Sequence, residues 1–64
     1  MTQKMVTFTV QMDQDTAQAL AQFLKRVSWC EVRQNASGDD EADQMRYGLE
    51  QVRKGLQEVG YDPR

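Results

Sequence analysis

The reactive side chains of this 64-residue chain are unevenly supplied: ten carboxylates, eight lysines and arginines, one cysteine and no histidine. Four of the carboxylates crowd together as Asp39, Asp40, Glu41 and Asp43. Such a cluster could hold a metal, imitate nucleic-acid phosphates, or meet a basic partner. For calcium, the run lacks the spaced ligands and closing glutamate of a known loop. Acids also belong in the first turn of a helix, where the dipole stabilises each by ~0.3–1 kcal/mol. Cys30 has no histidine to deprotonate it and no second thiol with which to form a disulfide or share a zinc ion. It reads as a small buried apolar residue beside Trp29. No glycine-rich phosphate loop and no nucleophile elbow occurs in the chain. No catalytic residue, cofactor or metal is therefore expected, and the protein reads as non-enzymatic.

Binding chemistry is what remains. Lys25, Arg26 and Arg33 surround the end of a predicted first helix, and Arg46, Arg53 and Lys54 lie on a predicted last one. Helical spacing pairs Asp43 with Arg46 and Glu50 with Lys54 on the surface. Aromatic residues together with arginine make binding hot spots, so Trp29 and Tyr61 are either partner anchors or pieces of the core. The candidate partner-binding residues are Asp39, Asp40, Glu41, Asp43, Arg46 and Arg53. With a net charge of −2 and a pI near 4.9, nucleic acid is a possible partner but not a favoured one.

The elements that must position these residues are legible from periodicity. Residues 4–12 alternate, with Val6, Phe8, Val10 and Met12 on one side and Met5, Thr7, Thr9 and Gln11 on the other, which predicts a half-buried strand. Asp13 offers a cap for a helix over 14–27, carried by Ala17, Leu20, Ala21, Leu24 and Val27. Ser28 and Glu31 form a capping box for a short helix over 29–35. The competing assignment makes residues 29–33 a second strand and closes a monomer. Ser37-Gly38 breaks the chain before a last helix over 39–59, ended by Gly60 and Pro63. Along that helix Ala42, Met45, Leu49, Val52, Leu56 and Val59 keep a 3-4 spacing, a coiled-coil-type seam. Gly48 and Gly55, seven apart beside the seam, predict a close helix neighbour, either the chain's own first helix or a second copy's.

The resulting expectation is a single domain of α+β class, mostly α. A chain of this size buries only about 60% of its unfolded surface and commonly needs a staple. Without a disulfide or a metal, self-association is the staple left. A lone strand must also find a partner for its amides and carbonyls. The expected partner is therefore a second copy: a homodimer through the strand (Val6, Phe8, Val10) and/or the last helix (Met45, Leu49, Val52, Leu56). No stretch is long and apolar enough for a membrane span or a signal peptide, so a cytoplasmic location is expected.

Two resemblances add to this reading. Residues 4–27, with Thr7, Thr9 and Gln11 alternating along a pairing strand, resemble ribbon-helix-helix proteins. That resemblance implies a DNA-binding regulator in which those three residues read base edges in the major groove. Phe23, Lys25, Arg26, Trp29, Glu41, Ala42 and the ending Gly60, Tyr61, Pro63, Arg64 are similar to a pattern in short uncharacterised proteobacterial proteins of phages and plasmids. This second resemblance implies a mobile-element accessory protein with no assigned activity. The leading expectation is a protein-binding module acting on an unidentified host protein, in one form as an inhibitor of host defence. The alternative is the ribbon-helix-helix-like regulator.

Overall fold

Side-chain caps set the first two helix starts. The structure, a computed structural model, describes residues 4–61. Helix α1 spans Gln14–Arg26, and the carboxylate of Asp13 accepts the Thr16 backbone N–H at 2.7 Å. Asp15 in the first turn and Lys25 and Arg26 in the last match the helix dipole. Val27 leaves the helix in an extended conformation and delivers the chain to Ser28. There the Ser28 hydroxyl accepts the Glu31 N–H at 3.2 Å, and the Glu31 carboxylate accepts the Ser28 N–H at 3.3 Å. This reciprocal cap opens α2, Trp29–Gln34. Asn35 closes it by donating its side-chain amide to the Glu31 carbonyl at 2.9 Å.

Helix α3 spans Asp39–Glu58 and has only Gly38 at its cap position, which supplies no side chain. Its far end is better tied. Gly60 sits at φ 101, Gly60 N–H donates to the Gln57 carbonyl at 3.0 Å, and Tyr61 N–H donates to that of Leu56 at 2.8 Å. That is the double closure in which a left-handed glycine lets two orphan carbonyls be satisfied. The Tyr61 ring then packs on the core cluster that contains Leu56.

Helices α1 and α2 each pack against α3. The main core consists of Ala17, Ala21 and Leu24 from α1 with Leu56 from α3, flanked by Leu20, Leu49 and Tyr61. Val32 on α2 and Ala42 on α3 are the other buried apolar residues. The chain exposes 5765 Å², against roughly 4,200 Å² expected for a compact monomer of 7.4 kDa.

Several expectations are corrected. The described residues contain three helices and no strand, so the fold is all-α rather than α+β. Residues 4–12 have no regular secondary structure, and within the chain Val6, Phe8 and Val10 are 82%, 72% and 63% exposed. The physical reason lies in the chain's own pairing options: a strand needs a neighbour for its amides and carbonyls, and the competing segment, 29–33, is held as helix by the Ser28–Glu31 cap. On α3 the inner side carries Met45, Leu49, a half-buried Arg53 and Leu56, while Val52 and Val59 are exposed. Gly48 and Gly55 have no close neighbour; a Cβ on either would meet nothing within 4 Å. Helix α1 packs on the Leu49–Leu56 side, and the glycines are turned away from it. Cys30 is exposed, because α2 turns Val32 inward instead.

Candidate partner-binding site

The acidic start of α3 is partly occupied by its own chain. Arg33 donates its Nε to Asp39 Oδ1 at 2.8 Å and its Nη1 to the Ala36 carbonyl at 3.2 Å. The Glu41 carboxylate accepts the Ser37 N–H at 2.9 Å. These bonds hold the turn between α2 and α3, so Asp39 and Glu41 do structural duty. Asp40 and Asp43 point outward and remain exposed. Among the described residues, no group of three or more histidine, cysteine or acidic side chains could hold a metal ion.

The two arginines of α3 lie elsewhere. Arg46 and Arg53 line an open cleft of about 220 Å³ between the end of α1, α2 and the middle of α3. Lys25 from α1 and Trp29 from α2 join them there, together with Glu50. Leu24, Val32 and Leu49 provide apolar walls. Arg46 pairs with Glu50, four residues on, rather than with Asp43; the contact is 3.9 Å long between exposed side chains. An exposed pair of that length contributes well under ~1 kcal/mol and leaves the guanidinium available. Trp29 is 39% exposed, so its indole is neither core nor free surface but one face of the cleft.

The sequence places Arg46 and Arg53 among the partner contacts but groups Lys25 with Arg26 and Arg33, and does not reveal that Lys25 and Trp29 line the same cleft as the two α3 arginines. The signal for it was the hydrophobic pair around the cap: Val27 just before Ser28, and Val32 at the fourth position of α2. Such a staple fixes the angle at which a chain enters a helix, and both valines line the cleft.

The N-terminal segment forms a second surface. Met5, Val6, Phe8, Val10 and Met12 are all exposed, as are Thr7, Thr9 and Gln11. Those last three lie in a segment without regular secondary structure, whereas base reading of that kind takes place from a strand. The segment ends at Asp13, whose carboxyl is held below its ordinary value of 3.8 by hydrogen bonds from the Thr16 hydroxyl and then the Thr16 backbone. The segment is therefore anchored to α1 at its end, and from Met5 to Val10 its apolar side chains are largely exposed.

Among the described residues, no helix is long and apolar enough to cross a membrane. No curated protein and no solved structure matches the chain. One family does match, over residues 1–64, and the chain belongs to it: the "Family of unknown function (DUF7706)".

Proposed function

We propose that this protein is a small, non-enzymatic protein-binding module of the cytoplasm whose N-terminal segment is taken up by a host protein. One observation carries the reading: Val6, Phe8, Val10 and Met12 recur at every second position and are all exposed among the described residues. An exposed apolar edge of this kind marks an interaction surface. Its alternation gives one apolar edge and one polar edge, Thr7, Thr9 and Gln11. An extended peptide so divided can set its apolar side chains into a partner's pockets while its polar side faces water. Ordering the segment costs conformational entropy at the moment of binding, which favours a regulatory, reversible contact. The partner class we propose, a host complex that the module modulates or inhibits, rests on the sequence resemblance to short phage and plasmid proteins alone.

The test is capture by the immobilised full chain, comparing wild type with Val6→Asp/Phe8→Asp/Val10→Asp. These side chains are largely exposed, so circular dichroism should be unchanged. The reading expects a host protein retained by wild type, lost with the variant, and rebinding in purified form with the same dependence. Equal retention by the triple variant would remove it. A doubled solution mass that collapses in the variant would replace the host partner by a second copy.

A further inference from the structure

We infer that the cleft between α1, α2 and α3 is a second, separate binding site, and that its occupant is a short acidic peptide segment with an apolar side chain among its carboxylates. The cleft is lined by three cations, the exposed Lys25 and Arg46 and the half-buried Arg53, against one anion, Glu50. This local excess of positive charge sits on a chain whose net charge is −2. Lys25 makes no ion pair among the described residues, and Arg46 has only the 3.9 Å contact to Glu50. Among the described residues Glu50 is the one carboxylate in the cleft, so Lys25 and the weakly held Arg46 stand ready for further carboxylates. Between them lie the half-exposed indole of Trp29 and the Leu49 side chain, an apolar surface that rewards a leucine-sized group. At about 220 Å³ the cleft takes one or two side chains rather than a folded surface.

Charge placement favours a peptide over a nucleic acid. A nucleic-acid strand carries a phosphate at every nucleotide and must run on past its contact site. Asp40 and Asp43, on the same helix as Arg46 and both exposed, would repel such a continuing polyanion. A few carboxylates on a peptide end within the cleft and meet no such barrier.

Trp29, the only tryptophan, is a built-in reporter. The experiment titrates the full chain at low salt with acetylated Glu-Glu-Leu-Glu-Glu amide and follows tryptophan emission. Parallel titrations use the glutamine analogue of that peptide and oligothymidylate. A saturable emission change is expected with the acidic peptide alone. Lys25→Glu/Arg46→Glu should weaken it roughly tenfold or more, since two attractive pairs become repulsive. Both side chains are exposed, so the helices should survive. The milder Lys25→Gln/Arg46→Gln pair should show the same trend, and high salt should act in the same direction. Val6→Asp/Phe8→Asp/Val10→Asp should bind the peptide like wild type, which separates this site from the N-terminal surface. No emission change with the acidic peptide, or an equal change with its glutamine analogue, overturns the proposal. Tighter binding of oligothymidylate with the same Lys25 and Arg46 dependence overturns the choice of a peptide in favour of nucleic acid.

Discussion

Replacing both Gly48 and Gly55 with alanine should make this protein more stable. Glycine inside a helix is ~0.8–1.0 kcal/mol less favourable than alanine, because its unfolded backbone has more freedom to lose. The usual reason to tolerate it is a close neighbour that a methyl group would strike. Here neither glycine has one: a Cβ at either position meets nothing within 4 Å. The two sites lie seven residues apart, ~10 Å along the helix axis, so their effects should add. The double variant should gain ~2 kcal/mol, which corresponds to roughly 8–16 °C in melting temperature for a domain of this size. The assay is thermal melting by circular dichroism at several protein concentrations, with solution mass measured by light scattering on the same samples. A lower melting temperature, accompanied by a fall in mass, would refute the reasoning. It would mean that in solution another helix lies against these glycines, and that the open face of α3 is open only in the isolated chain.

Two further outcomes follow from the helix ends. Gly60→Ala should destabilise by about 1–2 kcal/mol although its methyl would also meet open space, because φ 101 is costly for any residue with a Cβ; a melting temperature at or above wild type would show that the closure of α3 does not need a left-handed residue. Asp13→Ala should melt below wild type at neutral pH, with the gap closing as pH falls below 3.8. The sign follows from its depressed pKa: the contribution is present above the unfolded value and lost as pH falls through the folded one. Asp13→Asn should keep most of the capping and lose that pH dependence, and a gap that stays constant down to low pH would sink the assignment.

Local signals and tertiary ones fared differently in the sequence. Asp13, the Ser28–Glu31 pair and Gly60 each act through bonds to residues three to five positions away, so their geometry is written in the chain itself. The alternation of residues 4–12 is just as regular, yet it describes only what the segment would do if something paired with it. None of the described residues does. The spacing of α3 failed more subtly. A 3-4 pattern names a stripe about two residues wide, and Val52 and Arg53 compete for the same side. The structure turns Arg53 in and leaves Val52 out, because the inner side also forms the wall of the cleft. An arginine can line such a wall with its apolar stem and present its head at the rim.

That choice links the thinness of the core to the presence of a site. Had Val52 been turned fully inward, α3 would have offered a continuous apolar stripe to α1 and α2, with more area removed from water. It would also have carried Arg53 out of the cleft and left Lys25 and Arg46 without a third cation. The buried apolar set is instead limited to Ala17, Ala21, Leu24, Val32, Ala42 and Leu56, three of them alanines. So small a core supplies no more than ~3–5 kcal/mol. A chain this close to the threshold gains stability from any ligand that binds only its folded form. Occupancy of the cleft should therefore raise the melting temperature, through a site whose walls are the same residues, Leu24, Val32 and Leu49, that hold the three helices together.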